Sequence, residues 1–363
     1  MALRCEMHTA YIYDRGGMNR IARLDQPSKV EWSRIRDDIS SASVVIQAPT
    51  ADCAQALADI ASGRHELVIF RGADRVWEGP ITRLTYTSET VEVNARDVGH
   101  YLYRTVMRAG YDNGTVNAGP AITRIETICN AELARKEALD PPINVLPHMV
   151  FHHNVDDART SRVTLPRQST VWEDMDSLAH RGGLDYSTIG RAIHLFDTDR
   201  SLGRTPVLSE ADFIGDVIVT EYGMDLATET TATDGRGVYG VAGGLDPYYG
   251  WVEMLHTAYD EETDDELPTQ TELDDQALRN LNGRNPAPIE VRVPDNSTLN
   301  PNGALTIDML VPGVHVPLRA TLSGRKMSQL QKLSQVKVVE TPTGEKITVT
   351  LVPAAVDDDI VDL

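Results

Sequence analysis

Short runs of β-branched and aromatic residues, separated by turn residues, dominate residues 63–103 of the chain. Gly-Ala-Asp, Gly-Pro and Ser-Glu turns divide these runs, which is typical of antiparallel strands with short connections. From Ile81 to Tyr86 and from Val91 to Asn94, alternate positions differ in polarity, the period that a half-buried strand requires. The pattern predicts a meander of three or four strands that curls into a small β-barrel with free edges.

A similar order of strands returns near the C-terminus. Two interpretations are open: a structural repeat, in which one chain carries two equivalent barrels, or two unrelated meanders that share a strand pattern. The runs that correspond in order are Gly63–Arg71 with Gly313–Ala320, Ile81–Thr87 with Leu330–Val339, and Thr90–Ala95 with Lys346–Leu351.

Other strands and helices follow from the same periodicities. Before the first meander, alternation predicts strands at Arg4–Tyr13, around Trp32 and at Ala42–Gln47, and a 3.6-residue period predicts a helix at Asp52–Ser62. In the last third, strands are predicted at Val217–Tyr222, Thr228–Thr233, Val238–Gly244 and Trp251–Met254. Thr269 with Glu272 forms a second capping-box pattern, which predicts a helix that Gly283 ends.

The middle of the chain alternates between helices and a hairpin. Ser169 or Thr170, with Glu173 three or four residues later, forms a capping-box pattern, which predicts a helix to His180. The other predictions here are a helix from Asp97 to about Arg108, a helix at Ala121–Ala138, irregular chain at 143–168, and a hairpin of Leu184–Ser187 with Ala192–Phe196.

These elements predict a mainly β protein with an α+β insertion. A chain of 363 residues is too long for one compact core and favours two or three domains. We expect an N-terminal β-barrel at 1–106, a small helix-and-hairpin domain at 107–200, and a second β-barrel at 201–363 that contains an acidic loop at 259–275.

Composition narrows the function classes. With 54 acidic and 34 basic residues the net charge is −20, which argues against a surface that grips nucleic acid. The cysteines Cys5, Cys53 and Cys129 are too few and too widely spaced for a disulfide framework, and we expect free thiols in a reducing compartment. No apolar run approaches the roughly 20 residues of a membrane span, and no signal peptide is evident. We therefore expect synthesis and folding in a cytoplasm.

Two clusters resemble ligand sites without matching one. His148, His152 and His153 precede Asp156-Asp157, but neighbouring histidines point in different directions and the spacing fits no closed metal site. The acidic run at 259–275 lacks the calcium-loop spacing and is expected to be a solvated loop.

Two shorter patterns are assigned to turns and strand ends. Gly235, Gly237 and Gly243-Gly244 lack the lysine and the helix start of a phosphate loop and are expected at strand ends and bulges. Asp37-Asp38 is expected in a solvated turn. No catalytic residue, cofactor or metal is therefore predicted.

Two alternative functions remain open. A carbohydrate-binding receptor module needs aromatic residues for sugar stacking, and Tyr248-Tyr249-x-Trp251 is a candidate, with core or interface packing as the other interpretation. A cell-wall-degrading enzyme needs placed carboxylates or a nucleophile, but the carboxylates here occur in runs and no serine, cysteine or zinc constellation is present.

Three segments follow one another in a recognisable order along nearly the whole chain: "ELVIFRG…VWEGPITRL…VEVNARD…YLYR", "TVWEDMDSLAHRGGLDYSTIGRAIHLFD" and "GALTIDMLVPGVHVPL…LQKLSQVKVVETPTGEKITVTLVP". This order resembles that of the minor tail proteins of actinobacterial siphophages, of the tail hub (baseplate hub) type. Each motif alone is degenerate.

The resemblance implies a non-enzymatic homotrimer at the distal end of a tail tube. In such hubs each subunit contributes two tube-like barrels, so three chains form a pseudo-sixfold ring. The implied partners are the distal tail protein or tube ring, the tape measure protein, and other tail-tip or spike proteins, with genomic DNA passing through the lumen. The implied location is the virion tail tip, and any wall-degrading activity is expected on another protein.

Overall fold

The computed structural model describes residues 8–47, 57–111, 121–139, 148–152, 164–258, 267–292, 298–300, 303, 305–322 and 324–354. The start of the predicted strand at Arg4, most of the predicted helix Asp52–Ser62, and Cys5 and Cys53 lie outside these residues. Cys129 is free and buried, and burial raises the pKa of its thiol.

Seven strands of the first third form one antiparallel arrangement. The predicted meander is present, and its middle strand, β6, pairs with β5 through its first half and with β7 through its second half. From one edge the order is β2-β1-β5-β6-β7-β4-β3. The strands are β1 (His8–Tyr13), β2 (Arg20–Leu24), β3 (Pro27–Ile35), β4 (Ser41–Gln47), β5 (Glu66–Arg71), β6 (Asp74–Tyr86) and β7 (Thr90–Arg96).

The predicted Gly-Pro turn at Gly79-Pro80 is wrong, because β6 runs through it without a break. The strand changes partner here: Pro80 lies opposite Glu66 in β5, while Ile81 lies opposite Ala95 in β7. Gly79 is required by a close approach, since a Cβ there would lie 1.9 Å from the carbonyl oxygen of Arg96.

The insertion contains the predicted helices and hairpin, with one strand that the sequence pattern did not predict. Its elements are α1 (His100–Tyr103), α2 (Ala121–Leu139), β8 (His148–His152), α3 (Val171–Gly182), β9 (Leu184–Ile189) and β10 (Ala192–Asp197). The capping box of α3 is confirmed: the Thr170 hydroxyl accepts from the Glu173 amide, and Glu173 accepts from the Thr170 amide.

Two predictions in the insertion are wrong. Residues 148–152 are not irregular, because β8 pairs in parallel with β10 and places Met149 and Phe151 against the insertion core. The helix predicted from Asp97 to Arg108 is only one turn, because Thr105–Met107 extends beside Ser169–Val171 with backbone hydrogen bonds.

The last third contains the second predicted meander and a small separate sheet. In the meander, β19 pairs with β18 through its first half and with β20 along most of its length. The elements are β11 (Phe213–Ile214), β12 (Ile218–Glu221), β13 (Glu229–Thr233), β14 (Tyr239–Gly243), β15 (Glu253–Thr257), α4 (Gln270–Leu281), β16 (Ile289–Arg292), β17 (Thr298–Leu299), β18 (His315–Leu322), β19 (Arg325–Thr341) and β20 (Gly344–Pro353).

Antiparallel pairing of β3 with β19 joins the two halves into one large sheet. The order continues as β3-β19-β20-β16-β12, and β18 pairs beside β19. One hydrophobic core extends through both halves, from Ala10 to Leu351, while a second core lies within the insertion. Mainly β architecture is thus confirmed. Among the residues described above, no strand pairing closes the sheet into the predicted barrels.

The small sheet has the order β14-β13-β15 and is covered on one side by α4. Thr269 and Glu272 form the predicted capping box of α4, so the last residues of the acidic run are helical, whereas 259–266 lie outside the described residues. Gly240 allows β14 and α4 to approach closely, because a Cβ at this position would lie 2.4 Å from the backbone of Leu273.

We predict that Gly79→Ala lowers the free energy of unfolding by about 3 kcal/mol, because the added methyl meets backbone atoms that cannot rotate away. Exposed Gly223 has open space around its Cβ position, so Gly223→Ala is the matched control and should stay within about 0.5 kcal/mol. Urea unfolding followed by circular dichroism measures both. Equal midpoints for the two variants would contradict the packing argument.

Candidate functional site

The point where the insertion meets both halves of the large sheet is held by buried charges. Lys332 of β19 donates to Asp185 of β9 at 2.7 Å and to the Thr198 carbonyl at 2.8 Å. Arg36, just after β3, donates to the same Asp185 oxygen at 2.9 Å. One carboxylate from the insertion therefore neutralises a cation from each half. Phe196 adds a ring 5.0 Å from the Lys332 ammonium.

Two opposing effects set the pKa values of Lys332 and Asp185: burial favours the neutral form of each group, and the ion pairs favour the charged form. Burial lowers the pKa of Lys332, and the charge of Asp185 opposes that shift. Burial pushes the pKa of Asp185 upward, but Arg36 and Lys332 outweigh it and hold the pKa below its usual range. Burial, followed by the charge of Asp185, raises the pKa of Asp37 to about 6.

Asp37 was predicted to be a solvated turn residue, and that prediction is wrong. Its amide donates to the Tyr186 carbonyl, and its carboxylate accepts from the Tyr186 amide at 2.8 Å. Its carboxylate also pairs with Arg36 at 3.1 Å. Asp37 has φ +61°, a left-handed conformation that aspartate and asparagine tolerate better than most residues. The turn after β3 is thus a docking point for β9.

A second buried network fixes the tip of the β9–β10 hairpin on the first half. Arg191 donates to Glu66 at 2.7 Å and to Glu78 at 3.1 Å, and both carboxylates are buried. The Tyr101 hydroxyl also donates to Glu66, and Arg75 donates to Glu78. Burial raises the pKa of Glu78, with Arg75 and Arg191 opposing it. Together the two networks connect the insertion to both halves of the large sheet.

In the part of the chain that the structure describes, one group of side chains has ligand atoms close enough together for a metal: His8, Glu340 and Glu345. His8 Nδ1 contacts Glu340, and His8 Nε2 accepts from the Trp32 indole at 3.0 Å. Arg71 donates twice to Glu345, at 3.1 Å each. Both ring nitrogens of His8 and the carboxylate of Glu345 already have partners. The three side chains therefore fit a polar link that ties the β19–β20 turn to β1 and β5, and not a cation site.

The predicted histidine cluster is only partly described. His152 stacks on His194 of β10, with Nε2 and Nδ1 2.8 Å apart. His153, Asp156 and Asp157 lie outside the described residues. The side chain of His152 on β8 is thus held by His194 on the neighbouring strand β10.

The glycine-rich segments lie at turns and strand ends. Gly235 and Gly237 occupy the turn between β13 and β14, and Gly243 ends β14, all with positive φ. This agrees with their prediction as strand ends.

The aromatic cluster Tyr248, Tyr249 and Trp251 lies in a tight loop. Asp246 accepts from the amides of Tyr248 and Tyr249 and from Asn285, which orders the turn. A cleft of about 600 Å³ lies beside this loop, but the residues that line it include Asp246 and none of the three aromatic rings. A sugar site needs stacking rings next to polar groups, so this arrangement does not favour the carbohydrate alternative.

An apolar surface covers the outer side of the small sheet, opposite α4. Val241 of β14 and Leu255 of β15 flank Thr231 in one transverse row, and Leu255 is 71% exposed. Tyr239 and Trp251 are exposed at 59% and 61%. Residues 223–285, which contain this sheet, have 14 acidic and 3 basic residues. An exposed apolar patch rimmed by charge is typical of a protein-binding surface.

No protein-family profile matches the chain, and no curated protein matches it in sequence. Among the described residues, no helix is both long and apolar enough to cross a bilayer.

Solved structures share the fold over nearly the whole chain. The 43 kDa tail protein of prophage MuSo2 from Shewanella oneidensis has a TM-score of 0.64 at 12% identity, covering 96% of this chain and 98% of that chain. The tail protein from Neisseria meningitidis MC58 has a TM-score of 0.60 at 13% identity, covering 95% and 96%. The E. coli protein c3393 has a TM-score of 0.52 at 12% identity, covering 97% and 79%.

The third of these is a component of the type VI secretion system with structural similarity to the T4 bacteriophage tail proteins gp27 and gp5. At these identities the likeness concerns the fold. The chain therefore has the fold of phage tail proteins.

We predict that Arg191→Met lowers the free energy of unfolding by about 3 kcal/mol, because buried Glu66 loses its counter-charge. Adding Glu66→Gln should recover part of this loss, since an amide needs no cation. Arg23, whose pairing with Asp25 is more than half exposed, gives the matched control Arg23→Met, expected within about 0.5 kcal/mol. Additive losses in the double variant would contradict this role.

We predict that Asp37→Asn gains stability relative to the unchanged protein as the pH rises from about 4 to about 7. The folded-state pKa of about 6 exceeds the ordinary 3.8, so the folded state holds more protons between these values and loses stability as they leave. Asparagine does not titrate, and the difference should grow by on the order of 1 kcal/mol. Urea midpoints at several pH values test this, and parallel curves for the two proteins would refute it.

Proposed function

We propose that the chain is a structural minor tail protein of the tail hub type, as in actinobacterial siphophages. Three copies form a pseudo-sixfold ring at the distal end of a tail tube, in the virion tail tip, after synthesis in the host cytoplasm. The ring connects the tube to the tail tip and provides a conduit for DNA. Its role is non-enzymatic.

The order of strands in the large sheet is the observation that carries this proposal. Along the sheet, four strands of the N-terminal part come first: β6 (its part from Ile81 onward), β7, β4 and β3. Four strands of the C-terminal part then follow: β19, β20, β16 and β12. Each set begins with the middle and last strands of a meander and ends with two further strands. All neighbours are antiparallel, so the four-strand set repeats with the same strand directions.

Local details of the two sets also correspond. The pairing of β6 with β7 shifts by one residue between Ile81 and Arg83, and that of β19 with β20 shifts between Leu333 and Gln335. In both meanders the first strand pairs only with the part of the middle strand before this shift. With two equivalent four-strand sets in each chain, three copies would place six similar sets around the ring.

The proposed partners occupy the surfaces that the single chain leaves uncovered. The distal tail protein or tube ring and the tape measure protein contact the ring along the tube axis, and other tail-tip or spike proteins contact it from below. The exposed apolar side of the small sheet is a suitable surface for one of them. Obligate contacts of this kind bury more than about 2,000 Å².

The charge suits a conduit that DNA passes without binding. A net charge of −20 per chain, present three times, repels a polyanion if part of it faces the lumen. The proposal therefore includes a negative inner surface, and a lumen lined mainly by lysine and arginine would contradict it.

We predict that the purified chain forms a particle of about 120 kDa, three times the 40.0 kDa chain, in mass photometry. Moderate salt should favour the particle, because it screens repulsion between acidic subunits. Electron microscopy should show a closed threefold ring with six similar lobes around the lumen. A 40.0 kDa particle at micromolar concentration, or a ring without six lobes, would refute the proposal.

A further inference from the structure

Within the described residues, the eight-strand series that contains the two four-strand sets ends in two strand edges without a strand partner, and β2 is a further edge of the large sheet. Strand β12 pairs only with β16, and the part of β6 after Ile81 pairs only with β7. Such edges present unpaired backbone groups and bind another strand readily. The edges of β12 and β6 lie at opposite ends of this eight-strand series.

Pairing partners lead across the first set in three steps. Ile81 of β6 lies opposite Ala95 of β7. Ala95 lies opposite Ala42 of β4. Ala42 lies opposite Trp32 of β3. Trp32 therefore ends the path that starts at Ile81.

The same three steps cross the second set. Leu333 of β19 lies opposite Leu351 of β20. Leu351 lies opposite Val291 of β16. Val291 lies opposite Val219 of β12. Val219 is thus the counterpart of Trp32, and Leu333 is the counterpart of Ile81.

The junction within the chain shows how one set meets the next. Trp32 lies opposite Val338, five residues after Leu333, and both side chains are fully buried. The residue five positions after Ile81 is Tyr86, which is 53% exposed. Among the described strands none takes the place beside β6 that β3 takes beside β19, and Tyr86 is exposed at this edge.

We infer that β12 of one copy pairs antiparallel with the second half of β6 in the next copy, with Val219 opposite Tyr86 and Thr220 opposite Thr85. The inference rests on the proposed ring and gives its contact a register. This contact is head-to-tail, which is the kind that closes into a ring. The register is specific, because a slip by one residue would set Val219, on the core side, opposite Thr85, which points to the other side of the sheet.

A pair of cysteines tests the register directly. Val219→Cys and Tyr86→Cys are introduced together, in a chain in which Cys5 and Cys53 are replaced by serine. Directly opposed residues on antiparallel strands are close enough for a disulfide. We expect mild oxidation to give covalent dimers and trimers on non-reducing gels. The matched control, Thr220→Cys with Tyr86→Cys, places the thiols on opposite faces and should give about tenfold less product.

A single substitution tests the contact without oxidation. Tyr86→Ser should raise the monomer fraction in mass photometry, whereas Met18→Ser, at a position 73% exposed, should not. Circular dichroism checks that both variants fold. If the unchanged chain is trimeric but Val219→Cys with Tyr86→Cys does not cross-link, or cross-links no better than the control, the register is refuted and the ring stands. A monomeric unchanged chain refutes both.

Discussion

The pairing of β3 with β19 is the contact on which the rest of the structure depends. Residues about 300 positions apart in the chain lie opposite each other here, from Val30 with Glu340 to Ile35 with Gln335. Because the two strands are neighbours, the two meanders share one sheet and one hydrophobic core. Without this contact each half would present a long free edge and an uncovered apolar side.

The insertion strengthens this junction by electrostatics. Fully buried Lys332 and partly buried Arg36 are costly without a counter-charge, and Asp185 offsets both at once. Arg191 does the reverse, since one cation from the insertion offsets two buried carboxylates of the first half. Buried networks of this kind add little net stability but penalise every arrangement that leaves one member unpaired. They therefore fix the position of the insertion more than they strengthen the fold.

Local patterns predicted the elements well but not their partners. Both meanders, the capping boxes of α3 and α4, and the hairpin of β9 and β10 follow from periods and turn residues that lie close together in the sequence. The strand β8 was missed because its histidines alternate with Met149 and Phe151, and a metal cluster was the more obvious interpretation. The turn predicted at Gly79-Pro80 is absent. Gly79 instead allows the backbone at Arg96, which is distant in the sequence, to pack closely against β6.

The candidate site depended on tertiary contacts that no local pattern reveals. Glu66 and Lys332 sit in strands at positions where a charged residue normally indicates exposure, yet both are buried. The sequence suggested the repeat of the two meanders only as a hypothesis. Its strongest support is the order of strands in the sheet, in which each meander pairs with strands from elsewhere in the chain.

The distribution of charge gives the proposed head-to-tail contact a support that does not depend on strand order. Residues 1–106 contain 14 acidic and 13 basic residues, whereas residues 201–363 contain 27 acidic and 11 basic residues. A twofold contact through β12 would bring two acidic second halves together, and their repulsion would oppose it. A contact between the second half of one copy and the first half of the next avoids this repulsion. The uneven charge therefore favours the proposed head-to-tail contact over a symmetric dimer through β12.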